Sequence, residues 1–251
     1  MNHPDESSLH SEHTKEAIAA RLARATSHSY LGDFVLGAVD GAVTTFAVVS
    51  GAAGAGLSNG IVLALGLSNV LADGFSMAAG NFLRARADQL LVERIRRLEE
   101  SHIERIPDGE REEIRQIFRS KGFDGEELER IVAVITQDRQ QWVNTMLTEE
   151  WGLQLQPPLA WRAGLATFLA FLLAGLIPLI PSLLTPSAPS RQSFVASSLL
   201  TAATFLAIGY VRGRVADKRP WAAALETFLI GGCAASVAFV VGKLLETLAT
   251  R

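Results

Sequence analysis

The chain has 251 residues, of which 49% are hydrophobic and 20% are charged, and its formal net charge is −3 at pH 7. This small net charge, with no basic patch interleaved with aromatic residues, argues against a nucleic-acid-binding protein. The apolar and charged residues are segregated along the chain, which is typical of a membrane protein with polar segments between its spans.

The first 30 residues are polar and lack the short apolar core and small-residue cleavage site of a secretory signal peptide. We therefore expect residues 1–30 to form a cytoplasmic tail. The first apolar helix then serves as the insertion signal.

Five apolar runs of about 18 or more residues are each long enough to span a bilayer as a helix. They cover residues 34–57, 60–83, 159–184, 193–211 and 221–245. The sequence therefore predicts an all-α membrane protein with two membrane helices in residues 31–86 and three in residues 157–251.

The first run, "LGAVDGAVTTFAVVSGAAGAG", is rich in glycine and alanine. Small residues let two helix backbones approach closely in a membrane. The pattern predicts a close contact with another helix, either in the same chain or in a second subunit.

The positions of lysine and arginine predict the orientation, because basic residues in short loops remain in the cytoplasm. Basic residues follow the second run and join the fourth run to the fifth: Arg84, Arg86, Arg212, Arg214, Lys218 and Arg219. This bias predicts that the N terminus and residues 87–156 are cytoplasmic and that the C terminus is outside.

The polar insert of residues 87–156 is predicted to form three helices, because apolar residues recur at helical spacing in three stretches. The turn signals "IPDG" and "KGFDG" separate them. No proline or turn cluster interrupts residues 80–100. The second membrane helix is therefore expected to continue into the insert as one long helix.

The insert contains three pairs of candidate metal ligands at helical spacing: Glu99 with His102, Glu110 with Glu113, and Met146 with Glu150. Carboxylates with an imidazole and a thioether suit Fe(II) or Mn(II), whereas the absence of a cysteine set argues against structural zinc. Spacing alone favours a simpler alternative, in which these residues belong to a solvated helix face with ion pairs.

Candidate ion ligands also lie within the first two apolar runs. They are Asp40 in the first run, and Asn69, Asp73 and the thioether Met77, one turn apart, in the second. A carboxylate at the centre of a spanning helix costs about 2.5–3.5 kcal/mol on insertion scales, so it usually faces a partner or a wet pathway. We interpret these four residues as lining an ion pathway. The alternative is that these side chains have only a structural role. In that case Asp40 forms a buried hydrogen bond with Thr44, and Asn69 forms one with a neighbouring helix.

Several of these motifs together resemble the vacuolar iron transporter family in its bacterial branch. They are "DFVLGAVDGAVTTFAVVSGAAGAGLS", "LADGFSMAAGNFL", the acidic insert, and "GLIPLIP" in the third run. The resemblance implies a homodimeric transporter, not an enzyme, that moves Fe(II), and often Mn(II), out of the cytoplasm in exchange for protons. It implies no prosthetic group, allows Zn or Co as further cargo, and suggests the bacterial plasma membrane.

The resemblance also implies roles for individual residues. Asp40 and Met77 match residues that bind metal in transit between the subunits. The insert ligands match a cytoplasmic metal-capture set: Glu99, Glu110, Glu113, Met146 and Glu150.

Two residues depart from the plant pattern, because Asn69 and His102 stand where plant members have glutamates. Asn69 cannot carry a proton, so that role would pass to Asp73. A rival hypothesis is a membrane-anchored metal sensor or buffer that binds metal without transport.

Overall fold

The computed structural model describes residues 11, 13–25, 29–186, 190–216 and 218–249. Residues 1–10 of the predicted tail lie outside this range. The regular elements within it are helical, and in chain order they are α1 (Lys15–Ala25), α2 (Leu31–Gly54), α3 (Asn59–Arg105), α4 (Pro107–Ser120), α5 (Gly125–Gln137), α6 (Arg139–Thr145), a π-helical turn (Met146–Glu150), α7 (Ala160–Leu176), a 3₁₀ turn (Ile177–Leu179), α8 (Ile180–Leu184), α9 (Ser190–Val215) and α10 (Pro220–Ala249).

Five helical stretches in the described residues are long and apolar enough to cross a membrane, which confirms the predicted number of spans. They are Leu31–Gly54, Asn59–Arg105, Ala160–Leu184, Ser193–Val215 and Pro220–Leu248. The second is a single helix of 47 residues, as predicted. At 1.5 Å per residue it is about 70 Å long, more than twice the thickness of a bilayer core.

The chain divides into two compact units. The insert unit comprises Met1–Ser29 and Ala85–Leu159, and the membrane unit comprises Tyr30–Arg84 and Ala160–Arg251. Helix α3 contributes residues to both.

Helix α2 lies at the centre of the membrane unit, where it packs against α7, α9 and α10. Two of its glycines make this packing possible. A Cβ atom on Gly37 would lie 2.3 Å from the Thr167 carbonyl oxygen, and one on Gly41 would lie 2.4 Å from that of Phe171. The close helix contact predicted from the small residues is therefore present within the chain, between α2 and α7.

The insert unit has an apolar core contributed by several of its helices. The core comprises Ile114, Leu128, Val132, Ile135, Trp142 and Met146. Both predicted breaks are confirmed: α3 ends before Pro107, which occupies the first position of α4, and Gly122 and Gly125 adopt positive φ between α4 and α5.

The prediction of three helices in the insert was incomplete, because the chain breaks again at Asp138. The Asp138 carboxylate accepts hydrogen bonds from the backbone N–H groups of Gln140 and Gln141, at 2.8 and 3.1 Å. These bonds cap a further helix, α6. The π-helical turn then follows α6 directly.

Candidate functional site

Two buried glutamates and a histidine form a compact cluster in the insert unit. Glu99 and His102 lie near the C-terminal end of α3, and Glu110 lies in the first turn of α4. The break before Pro107 brings the helix ends together, so one ligand atom from each side chain lies within 4.8 Å of the others. Of the described residues, only these form a group of three or more His, Cys, Asp or Glu side chains with this geometry.

The two glutamates are almost completely buried, with exposed fractions of 1% for Glu99 and 0% for Glu110. Glu99 Oε2 and both carboxylate oxygens of Glu110 have no hydrogen-bond partner. His102 Nδ1 lies 3.2 Å from Glu110 Oε1, but outside hydrogen-bonding geometry. Buried charges normally pair with an opposite charge or coordinate a metal. The cluster therefore has acceptor oxygens available for a cation.

Two further predicted ligands lie within electrostatic range of this cluster. Burial, followed by the negative charges of Glu113, Glu99 and Glu150, raises the pKa of Glu110 to about 8. Burial, followed by the charges of Glu99 and Glu113, also raises the pKa of Glu150. The structure therefore brings all four predicted carboxylates of the insert together, and without metal they repel one another.

Met146, the predicted thioether ligand, is fully buried and belongs to the apolar core of the insert unit. It begins the π-helical turn that ends at Glu150. The segment from Met146 to Glu150 is thus a π-helical turn and not the α-helix that was expected, and a shared metal site for the two residues stays a prediction. Single π-helical turns inside α-helices occur frequently at functional sites.

The predicted pathway residues of the membrane unit are all partly buried. Asn69, Asp73 and Met77 follow one another at four-residue spacing on α3, and Asp73 lies close enough for its charge to act on Asp40 of α2.

The structural alternatives for this set are not observed. Thr44 Oγ1 donates to the backbone carbonyl of Asp40 at 2.9 Å, and not to the Asp40 carboxylate as expected. The Asn69 Nδ2 group is buried without a hydrogen-bond partner. Neither polar side chain is therefore explained by the hydrogen bond expected for it.

Comparison with known proteins identifies the family. A profile described as the VIT family matches residues 31–243. The chain belongs to the VIT family. It is therefore similar over most of its length to other VIT-family proteins, and the matched range contains all ten predicted site residues.

Named relatives agree with this assignment. The chain is 33% identical over 226 residues to vacuolar iron transporter 1 of Eucalyptus grandis, with 90% of each protein covered. It is 33% identical to the vacuolar iron transporter of Toxoplasma gondii, with 88% of the chain and 76% of the relative covered. It is 29% identical to vacuolar iron transporter 1 of Arabidopsis thaliana over 97% of the chain and 94% of the relative.

One residue of this VIT-family protein that contacts the acidic cluster was missed in the sequence. Trp151, immediately after the π-helical turn, donates a hydrogen bond from its indole Nε1 to Glu99 Oε1 at 3.0 Å. Its position next to Glu150 in "TEEWG" was the only signal in the sequence.

Sequence reasoning also missed a buried polar network in the membrane unit of this VIT-family protein. Asn81 Nδ2 donates to Asp33 Oδ1 at 2.8 Å, to Thr167 Oγ1 at 2.7 Å and to the Ala163 carbonyl at 3.2 Å. Arg84 Nε donates to Asn81 Oδ1 at 3.0 Å. The network joins α2, α3 and α7.

A second buried asparagine lies at the other end of the membrane part of α3. Asn59 Nδ2 donates to the Thr185 carbonyl at 2.7 Å, and its Oδ1 accepts from Ser193 at 2.7 Å and from Ser182 at 3.3 Å. Asn59 thus connects the start of α3 to other parts of the membrane unit, and Asn81 does the same further along the helix.

Proposed function

We propose that this VIT-family protein exports Fe(II), and also Mn(II), from the cytoplasm across the membrane in exchange for protons. The observation that carries the proposal is a pair of buried glutamates, Glu99 and Glu110, in which three of the four carboxylate oxygens have no hydrogen-bond donor. Named relatives, all vacuolar iron transporters, support iron as the cargo. Zn and Co remain secondary candidates for cargo.

Metal capture is assigned to the insert unit. Glu99, His102 and Glu110 already place ligand atoms within 4.8 Å of one another, and the charges of Glu113 and Glu150 add to the attraction for a divalent cation. Carboxylate and imidazole ligands suit Fe(II) and Mn(II). Met146 joins this set in our proposal, as the softer ligand.

Transit through the membrane is assigned to Asp40, Asn69, Asp73 and Met77. The charge interaction between Asp40 and Asp73 favours a cation or a proton between them. Because Asn69 has no titratable proton, Asp73 is the proposed proton carrier. We further propose a homodimer with the pathway between its subunits.

The proposed orientation has the N terminus and residues 87–156 in the cytoplasm and the C terminus outside, because the basic residues near the helix ends lie mostly on one side. The resemblance to the bacterial branch supports the plasma membrane as the location. In both the vacuole and the plasma membrane, transport of this kind removes metal from the cytoplasm.

The test is metal flux in liposomes containing the purified protein, with Fe(II) or Mn(II) on one side and an imposed pH gradient. We expect flux that depends on the gradient, and loss of that flux in correctly folded Asp40→Ala and Met77→Ala variants. Cys233→Ala, at an exposed position on α10, is the matched control. Metal binding without flux would support the sensor or buffer hypothesis instead.

A further inference from the structure

Trp151, which is 42% exposed, places an uncharged hydrogen-bond donor at the edge of the acidic cluster. Its indole N–H donates a hydrogen bond to Glu99 Oε1 at 3.0 Å. Trp151 therefore contacts a carboxylate to which we assign metal capture, although an indole cannot itself act as a metal ligand here.

The bond to Trp151 makes the two oxygens of Glu99 different. Oε1 is occupied by the indole, whereas Oε2 is buried and has no partner. Because the side chain of Glu99 is only 1% exposed, Oε2 is not in contact with bulk water. Glu99 is thus held with one oxygen engaged and one available.

The chemistry of the indole suits this position. It is a donor only, so it satisfies a carboxylate oxygen without accepting a hydrogen bond or competing for the metal. It also carries no charge. A lysine or arginine at the same place would satisfy Glu99 but would repel a divalent cation from the cluster.

We propose that Trp151 is a positioning residue, which orients Glu99 so that its unpaired Oε2 faces the captured divalent ion. The inference rests on the proposed capture of metal by this cluster and adds a residue that acts through the ligands. Outer hydrogen-bond partners of metal ligands typically contribute about 10- to 100-fold to metal affinity.

The test uses the full-length protein in detergent with Mn(II) as the probe and calorimetry as the measurement. Trp151→Phe removes the N–H donor and keeps an aromatic ring, and we expect it to weaken Mn(II) binding about 10-fold or more. The control is Trp161→Phe on α7, a 57% exposed tryptophan of the membrane unit. This control should bind Mn(II) as the parent does.

A further readout separates positioning from general stabilisation. The rise in Tm caused by saturating Mn(II) should be smaller in Trp151→Phe than in the parent, whereas a merely structural role would lower Tm equally with and without metal.

A second variant covers the case in which Trp151→Phe does not fold. Trp151→β-(3-benzothienyl)alanine keeps the shape of the indole and replaces only the N–H by sulfur. Mn(II) affinity within twofold of the parent in either folded variant would overturn the inference. If the parent itself binds no Mn(II), the proposed capture function fails first, and calorimetry of the parent distinguishes the two cases.

Discussion

Asn69 and Asn81 lie on the same helix and differ in whether their amides are bonded. Asn81 Nδ2 donates to three acceptors on α2 and α7, whereas Asn69 Nδ2 is buried and has no partner among the described residues. The first amide therefore stabilises the helix packing. The second is available for another purpose, which in our proposal is the ion pathway.

Replacing these two asparagines should affect two different properties, stability for Asn81 and metal flux for Asn69. We expect Asn81→Leu to lower the free energy of unfolding by about 1–3 kcal/mol, because the hydrogen bonds that Asn81 donates to Asp33 and Thr167 in a buried site are lost. Asn69→Leu should leave stability nearly unchanged and should slow metal flux. Thermal unfolding in detergent and flux in liposomes measure the two effects. A loss of stability in Asn69→Leu as large as in Asn81→Leu would contradict this division.

The insert unit should become less stable as pH rises in the absence of metal. The pKa of Glu110 in the folded state is about 8, above its ordinary value of 4.5. Between these values the folded chain binds more protons than the unfolded chain, so the free energy of unfolding falls as pH increases. Thermal unfolding of the metal-free protein from pH 6 to pH 8.5 should show Tm decreasing.

Two variants and added metal test whether Glu110 causes this pH dependence. Glu110→Gln removes the titration and should flatten the dependence of Tm on pH, whereas Glu129→Gln, an exposed residue paired with Arg115, should keep it. Saturating Mn(II) should raise Tm most at high pH, because metal replaces the proton on Glu110. A metal-free Tm that is constant over this range would show that Glu110 is already ionised.

The capture site and the pathway should respond differently to metal concentration. Replacing Glu110 and Glu113 together by alanine removes ligands from the acidic cluster, so we expect slower transport at low metal and near-normal transport at high metal. Asp40→Ala should reduce transport at every metal concentration. Initial flux rates measured over a range of Mn(II) concentrations distinguish these patterns. Equal damage from both changes at all concentrations would mean that the cluster takes part in conduction.

The contact between α2 and α7 should tolerate no added methyl group at Gly37. A Cβ atom there would lie 2.3 Å from the Thr167 carbonyl oxygen, so Gly37→Ala must push the helices apart. We expect a destabilisation of about 1–3 kcal/mol, measured by thermal unfolding. Gly80→Ala on α3 is the control, because its Cβ would have no neighbour within 4 Å. Equal Tm values for the two variants would show that α2 moves away at no cost.

The features that sequence predicted correctly depend on local signals. Apolar runs predicted the five spans, and the absence of proline or turn residues after Gly80 predicted that α3 continues to Arg105. Pro107 and Gly122 marked turns because each imposes or permits a particular backbone conformation. In the insert, helical spacing also selected the glutamates that the fold brings together.

The features that were missed depend on contacts between distant segments. Asn81 resembled any polar residue in "AAGNFL" until its partners on α2 and α7 were known. The contact of Trp151 with Glu99 joins residues 52 positions apart. Asp138 is different, because an aspartate before "RQQW" is a local cap signal that the apolar periodicity of the preceding helix obscured.

The bonds of Asn59 and Asn81 also bear on how the protein is made. Asn81 finds acceptors 82 and 86 residues later in the chain, and the partners of Asn59 lie 123 to 134 residues later. At about 5–20 residues per second, the ribosome needs roughly 5 to 25 seconds to supply them. During this interval, α3 holds two asparagine amides that neither lipid nor α2 can fully satisfy. The nascent pair of helices must therefore wait for α7, α8 and α9 before its packing is complete.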